Sequence, residues 1–181
     1  MRVLLVDDNR LMLEGLQNLL EAHDIQIAGV AADGQQALGM ARILKPDVIL
    51  MDIRMPRCDG LTATRYIKAE LPDMKIIILT TSSDDHDLFE AVKSGACGYL
   101  LKSINSDMLI EAITQAQEDI PPFSPGLAAK LLKEFANLSE TSAIDSATST
   151  MSENSLKSSG ELPVRGLNSR QTEILSLVSQ G

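Results

Sequence analysis

The sequence has no tryptophan, and aromatic residues make up only 3% of its 181 positions. Hydrophobic residues nevertheless reach 44%, so any core must consist mainly of Leu, Ile, Val, Met and Ala. A chain of this length suits one domain of common size with an appendage. We therefore expect a single aliphatic core.

Cysteine is also scarce. Cys58 and Cys97 lie far apart, and neither belongs to a CxxC or other metal-type spacing. This usage favours a reduced, cytoplasmic protein over a disulfide-stabilised or zinc-binding one. No apolar run approaches the length of a membrane span, and the first residues lack the basic and apolar regions of a signal peptide. We expect no membrane association.

An excess of positive charge is missing as well. The 25 acidic and 16 basic residues give a formal net charge of −9. Binding to nucleic acid or to an anionic membrane depends on neutralising phosphates with Lys and Arg. These residues alone are therefore not expected to form such a surface.

Short apolar segments are present instead, and they alternate five times with segments of helical spacing. The pattern predicts a doubly wound α/β fold, in which a five-stranded parallel sheet is connected by right-handed crossovers. The predicted strands are residues 2–6, 26–30, 48–51, 75–79 and 97–101, and the predicted helices are residues 11–20, 35–44, 61–71, 84–94 and 105–117.

The third of these strands, residues 48–51, runs directly into Asp52. Four consecutive apolar residues indicate a strand buried on both faces, and α/β sheets place their sites at the carboxyl ends of such strands. An aspartate at the end of a strand can also have a purely structural role, in a turn or as a helix cap. The strand alone leaves both interpretations open.

Polar residues also follow the other strands, and together they predict a site. Asp7 and Asp8 follow the first strand, Thr80 the fourth and Lys102 the fifth. Carboxyl ends of parallel strands share one edge, so these side chains should converge near Asp52. Clustered carboxylates repel one another unless a cation offsets them, and oxygen ligands suit Mg²⁺. A hydroxyl and an ammonium would complete a cradle for a tetrahedral anion.

Together with two further motifs, these residues resemble the receiver domain of two-component response regulators. The motifs are MPRCDG at residues 55–60 and GACGYLLK at residues 95–102. The second is similar to the NarL/FixJ subfamily, whose output domain is a LuxR-type helix-turn-helix. The resemblance covers residues 1–118 and implies a flavodoxin-like receiver.

The resemblance also implies a chemistry. Asp52 would accept a phosphoryl group from the phosphohistidine of a sensor histidine kinase. Asp8, Asp52 and the backbone carbonyl of Arg54 would hold Mg²⁺, with Asp7 helping through water. Lys102 would pair with the phosphoryl oxygens.

A switch follows from the same resemblance. Thr80 would move to hydrogen-bond the phosphoryl group, and Tyr99 would swing inward behind it. The protein would then be a phosphoacceptor switch rather than an enzyme, assisting only its own phosphorylation and dephosphorylation. A homodimer is expected on phosphorylation.

Two departures from the family pattern lie beside this site. Ser103 follows Lys102 where many receivers have proline on a cis bond, and a cis bond without proline costs about 3 kcal/mol. Arg54 and Thr81 occupy positions that tend to tune the phosphoryl lifetime in the family. Arg54 is bulky and charged, and Thr81 replaces a commonly smaller residue.

Residues 119–166 are expected to link the receiver to an output domain. Within them, residues 124–138 have the spacing of an amphipathic helix, either a lid on the receiver or a dimer or interdomain helix. Residues 139–160 are rich in Ser, Thr and small residues and predict a flexible linker. The apolar side of the predicted helix comprises Leu127, Leu131, Leu132, Phe135 and Leu138.

The tail, residues 167–181, resembles the first helix of a LuxR-type DNA-binding domain. An unrelated amphipathic helix is the alternative. The recognition helix is not in the sequence, so we expect a truncated domain and DNA binding only through the complete one. The residues that fit the LuxR pattern are Leu167, Arg170, Glu173, Leu175 and Gly181.

Three other functional classes share some of these features. A haloacid-dehalogenase-type phosphatase needs a second aspartate two residues after the nucleophile, where Arg54 stands. A dinucleotide-binding domain needs a glycine-rich turn after the first strand, where Asp7, Asp8 and Asn9 stand. A receiver that acts only through protein contacts, without DNA, is the third alternative.

Overall fold

The computed structural model describes residues 1–124, 126, 127, 129–131 and 133. The five predicted strand–helix units are confirmed, and all strand pairs are parallel. The sheet order is β2-β1-β3-β4-β5. The elements are β1 (Arg2–Val6), α1 (Arg10–Glu21), β2 (Gln26–Ala31), α2 (Gly34–Leu44), β3 (Val48–Met51), α3 (Gly60–Glu70), β4 (Lys75–Thr80), α4 (Asp85–Lys93), β5 (Gly98–Leu101) and α5 (Ser106–Gln117).

Strand β3 lies at the centre of the sheet, and all four of its residues are buried. Because side chains alternate along a strand, Ile49 and Met51 pack into the layer formed with α2, α3 and α4. Val48 and Leu50 pack into the opposite layer, with α1 and α5. The predicted burial of β3 on both faces is confirmed, and this burial fixes the strand that carries Asp52.

Side-chain caps set the beginnings of the helices. Asp84 and Asn105, predicted as the first residues of their helices, are instead N-cap residues in extended conformation. A capping oxygen satisfies a backbone N–H that has no partner within the helix, which stabilises the helix by about 1 kcal/mol. Asp33 and Asp59 cap α2 and α3 in the same way. The predicted helix limits were therefore wrong by one residue where a cap was read as helix.

Helix α3 begins against the backbone of Asp52. Gly60 is its first residue, and a Cβ atom built there would overlap the carbonyl oxygen of Asp52. The Gly60 N–H donates to the carbonyl oxygen of Ile53 at 3.0 Å. The loop between β3 and α3 is therefore closed tightly around the residue that follows the central strand.

The described residues beyond α5 pack against the edge of the sheet. Phe123 forms a parallel bridge with Tyr99 of β5, and Leu127 and Leu131 are buried in the core layer that contains α4. For these residues, the contacts favour a lid over a dimer or interdomain helix. Other parts of the prediction lie outside the described residues, namely Leu132, Phe135, Leu138, the linker 139–160 and the tail 167–181. In the described part of the chain, no helix combines the length and the apolar character needed to cross a membrane.

Candidate functional site

The carboxyl ends of β1 and β3 bring three aspartates together. Val6 and Met51 are paired in the sheet, and the Asp52 N–H donates to the carbonyl oxygen of Val6 at 2.9 Å. Asp7 and Asp52 therefore follow neighbouring strand ends, with only 3% and 5% of their surfaces exposed, whereas Asp8 is exposed. One carboxylate oxygen from each of the three lies within 4.8 Å of the others. The predicted convergence of these three aspartates is present.

Lys102 supplies the positive charge at this site. Its Nζ lies 2.6 Å from Asp7 Oδ2 and 3.3 Å from Asp52 Oδ1, and its side chain is almost buried. The backbone places it, because the Lys102 N–H donates to the carbonyl oxygen of Thr80 at 2.7 Å. Three carboxylates and one ammonium leave a local formal charge of −2. The donor set of hard oxygens and this charge both fit a divalent cation such as Mg²⁺.

The pKa shifts at the site reflect competition between burial and charge. Burial raises the pKa of Asp52 and outweighs the lowering effect of Lys102, while the charge of Asp7 raises the pKa further. Burial alone would lower the pKa of Lys102, but the hydrogen bond to Asp7 and the charges of both aspartates raise it. Lys102 therefore stays charged, and a divalent cation would favour the ionised form of Asp52.

Thr80 and Tyr99 lie on the neighbouring strands β4 and β5 and are fully buried. Thr80 is the last residue of β4, and its Oγ1 accepts the Ser82 N–H at 3.2 Å. The Tyr99 hydroxyl donates to the carbonyl oxygen of Ser82 at 2.9 Å, and burial raises the pKa of Tyr99 to about 12. Tyr99, expected to swing inward on phosphorylation, is already inside in this structure.

The side chain of Arg54 is directed to α4. Its guanidinium donates to Asp87 Oδ2 at 2.8 Å, and 70% of the Arg54 side chain is exposed while Asp87 is buried. The two residues line an open cavity of about 430 Å³ together with Met55 and Asp59. The backbone of Arg54 remains in the loop that follows Asp52.

Sequence reasoning missed Ser82 and Asp87. Ser82 acts through its backbone N–H and carbonyl, which no side-chain pattern reveals. Asp87 is one of two acidic residues in the first turn of α4, directly after the Asp84 cap, and only the three-dimensional position of Arg54 distinguishes it. The described residues contain no cis peptide bond, so the bond between Lys102 and Ser103 is trans.

The chain matches a protein-family model and several known proteins. The family model of the response regulator receiver domain matches residues 3–114. The chain is 42% identical over 134 residues to the uncharacterized transcriptional regulatory protein YxjL of Bacillus subtilis, covering 74% of this chain and 62% of YxjL. It is 37% identical over 181 residues to the transcriptional regulatory protein LiaR of the same organism, covering 99% of this chain and 77% of LiaR.

A solved structure shows the same fold. A two-component response regulator of the LuxR family from Aurantimonas sp. SI85-9A1 superposes with a TM-score of 0.70 at 30% identity, covering 75% of this chain and 97% of that one. The family match spans the strands and loops that carry Asp7, Asp52, Thr80 and Lys102. The resemblance predicted from the sequence is confirmed, and the chain belongs to the response regulator family, with LuxR-family regulators among its relatives.

Proposed function

We propose that this chain is a phosphorylation-controlled switch that accepts a phosphoryl group on Asp52 from the phosphohistidine of a sensor histidine kinase. The observation that carries the proposal is the cluster of Asp7, Asp8 and Asp52 within 4.8 Å of one another, with the ammonium of Lys102 against two of them. The chain acts on no separate substrate. It assists only its own phosphorylation and dephosphorylation.

The transfer requires one bond to form and one to break. A carboxylate oxygen of Asp52 attacks phosphorus, the bond from phosphorus to the imidazole nitrogen breaks, and the electron pair stays on the imidazole. Phosphoryl transfer depends on positioning and on stabilising the charge of the phosphoryl oxygens. Lys102 is already held by Asp7, so its ammonium can pair with a phosphoryl oxygen without leaving the site.

Asp8, Asp52 and the backbone carbonyl of Arg54 would hold Mg²⁺, and Asp7 would assist through water. When bound, the ion supplies positive charge against the carboxylates and the phosphoryl oxygens. The local charge of −2 favours such a cation, because a phosphoryl group would add further negative charge.

Thr80 is the residue that we expect to respond to phosphorylation of Asp52. Its hydroxyl oxygen accepts the Ser82 N–H, so its own proton is available for a phosphoryl oxygen. We infer that Thr80 moves to make this bond and that Tyr99 keeps the space behind it filled. Converting a population that is about 1% active into one that is about 99% active takes about 5.5 kcal/mol of preference.

The output of the complete protein is transcription regulation through a LuxR-type helix-turn-helix, with a homodimer formed on phosphorylation in the cytoplasm. The transcriptional regulatory relatives support this assignment, and one structural neighbour, at 26% identity, is RcsB, solved as two dimers bound to two parallel DNAs. With a net charge of −9, residues 1–181 lack the excess of Lys and Arg that contacts to DNA phosphates require, so they should not bind DNA sequence-selectively. Sequence-selective binding below micromolar concentration in a gel shift at physiological salt would contradict that expectation.

The phosphoacceptor is tested with a small phosphodonor such as acetyl phosphate in the presence of Mg²⁺. Intact mass should show one added phosphoryl group on the wild type and none on Asp52→Ala. Asp73→Ala, which removes an exposed aspartate from the loop between α3 and β4, is the matched control and should be modified like the wild type. Equal modification of Asp52→Ala would show that the acceptor is another residue.

A further inference from the structure

The chain beyond α5 extends the sheet at its β5 edge. Tyr99 uses both of its backbone groups there: its N–H donates to the carbonyl oxygen of Pro122 at 2.9 Å, and its carbonyl accepts the Ser124 N–H at 3.0 Å. The Ser124 hydroxyl, in a residue only 6% exposed, accepts the Leu101 N–H at 3.0 Å. We call the described residues from 122 to 131 the strap. The strap is therefore hydrogen-bonded to β5 by backbone and side chain.

The strap also packs onto the receiver through apolar side chains. Leu127 and Leu131 are buried in the same core layer as Tyr99 and as Leu88 and Val92 of α4. Burying a leucine stabilises a folded arrangement by about 1.5–3 kcal/mol relative to leaving it exposed. The strap is thus part of the core beside Tyr99.

An ion pair fastens the strap to the first turn of α4. Lys130 Nζ lies 2.8 Å from Asp85 Oδ1, with both side chains partly exposed. Two residues further along the same turn, Asp87 binds the guanidinium of Arg54, which lies two residues after Asp52. The first turn of α4 is therefore held by the strap on one side and by the loop of the phosphoacceptor on the other.

A second connection between the strap and the site is made of hydrogen bonds. Thr80 Oγ1 accepts the Ser82 N–H, and the Ser82 carbonyl accepts the Tyr99 hydroxyl. The backbone of Tyr99 is bonded to Pro122 and Ser124. A movement of Thr80 that shifts the backbone of Ser82 is therefore passed to Tyr99, which the strap holds in place.

We propose that docking of the strap and phosphorylation of Asp52 are positively coupled. The docked strap holds Tyr99 in the buried position that the proposed switch requires once Thr80 has moved, and it fixes the first turn of α4. Ser124 and Lys130 make the side-chain polar contacts that dock the strap, to Leu101 and Asp85 respectively. Coupling between two sites is reciprocal, so loosening the strap weakens binding of the phosphoryl group, and the phosphoryl group tightens the strap. The proposal rests on the proposed function of Asp52.

The test measures how tightly the full 181-residue chain binds beryllofluoride, a mimic of the phosphoryl group, in the presence of Mg²⁺. Lys130→Ala should weaken this affinity by about twofold to fivefold, the range expected from one partly exposed ion pair. Ser124→Ala leaves the Leu101 N–H without its partner and should weaken it by about fivefold or more. Calorimetry gives the affinities, and circular dichroism confirms that each variant is folded.

Lys133→Ala is the matched control, because it removes the same charge from an exposed lysine three residues further on. Its affinity should equal that of the wild type. Amide exchange at Tyr99, Leu101 and Ser124 should slow when beryllofluoride binds, which an uncoupled strap would not show. If Ser124→Ala does not fold, the beryllofluoride affinity of Lys130→Ala alone tests the proposal.

Two results overturn the proposal while leaving Asp52 as the acceptor. Affinities equal to that of Lys133→Ala would show that the strap is passive, and higher affinities would show that it opposes phosphorylation. A wild type that binds no beryllofluoride, and takes no phosphoryl group from acetyl phosphate, would instead refute the function on which the proposal rests.

Discussion

Asp33 and Asp52 are both almost fully buried, with 1% and 5% of their surfaces exposed, yet their pKa values shift in opposite directions. Asp33 caps α2: it accepts the Gln36 N–H at 2.9 Å and is paired with Arg57. The Gln36 backbone hydrogen bond, followed by the Arg57 hydrogen bond, lowers its pKa. Burial dominates at Asp52 and raises its pKa despite Lys102.

The difference separates a carboxylate that stabilises the fold from the carboxylate that we propose accepts the phosphoryl group. Donors surround the carboxylate of Asp33, so its charge stabilises the fold. Asp52 shares one ammonium with Asp7 and faces two other carboxylates. Its charge is left incompletely balanced, which is the condition in which a cation or a phosphoryl group can bind. Burial alone does not separate the two roles.

The largest expected difference between the two aspartate sites is in metal binding. Asp8→Asn removes a charged oxygen ligand from the open cluster and should weaken Mg²⁺ affinity by more than about tenfold. Asp33→Asn removes a comparable charge from the closed site and should leave that affinity unchanged. Calorimetry measures both. Unaltered affinity in Asp8→Asn would remove Asp8 from the ligand set.

The stability of the fold should depend on Asp33, the site whose substitution is expected to leave metal binding unchanged. Asp33→Ala removes an N-cap and the partner of Arg57, and should lower the free energy of unfolding by about 1–2 kcal/mol. Urea unfolding measures this value, and phosphoryl acceptance by the folded variant should persist. A variant as stable as the wild type would mean that the hydrogen bonds of Asp33 contribute nothing net.

Neutralising Asp52 should have a smaller effect of opposite sign. Because the folded protein raises the pKa of Asp52, it disfavours the charged form. Asp52→Asn, a neutral side chain of the same shape, should therefore raise the free energy of unfolding by up to about 1 kcal/mol in the absence of Mg²⁺. Adding Mg²⁺ should stabilise the wild type more than this variant. A clear loss of stability in Asp52→Asn without Mg²⁺ would contradict the assigned direction of the shift.

The pH dependence of stability gives the finest distinction. The folded pKa of Asp33 is lowered, so its stabilisation is present above the unfolded value of about 3.9 and is lost as the pH falls through the folded pKa. The folded pKa of Asp52 is raised, so its contribution is fully present below the unfolded value and is lost as the pH rises through the folded pKa. Unfolding series of Asp33→Asn and Asp52→Asn from about pH 3 to 6 should therefore diverge from the wild type in opposite directions. Parallel curves would remove the contrast between the two sites.

The parts of the fold that the sequence predicts well are those encoded locally. An apolar run such as Val48–Met51 is long enough for a strand and too short for an isolated helix. Pro46 shortly before it and Asp52 directly after it mark its limits in the sequence. Helix limits failed at Asp84 and Asn105 because a capping residue continues the polar pattern of the helix that it begins. The cluster of Asp7, Asp8 and Asp52 was predictable because parallel strand ends share an edge.

The parts that sequence reasoning did not reach depend on pairings between distant segments. The choice of Asp87 as the partner of Arg54 depends on how α4 is rotated, and the role of Ser82 belongs to its backbone. The docking of Pro122 and Ser124 beside Tyr99 joins residues more than twenty positions apart through main-chain atoms. None of these contacts can be recognised from a pattern of residues in the sequence.

The close approach of Gly60 to Asp52 also limits which substitutions the protein can tolerate. It has no side chain, yet a single methyl group at this position would occupy the space of the Asp52 carbonyl oxygen. In a saturation mutagenesis screen scored by phosphoryl acceptance, Gly60 should therefore be as intolerant of substitution as Asp52, the proposed acceptor. Such a screen would rank a residue with no chemistry of its own among the reactive ones, because the geometry of Asp52 depends on an atom that is absent.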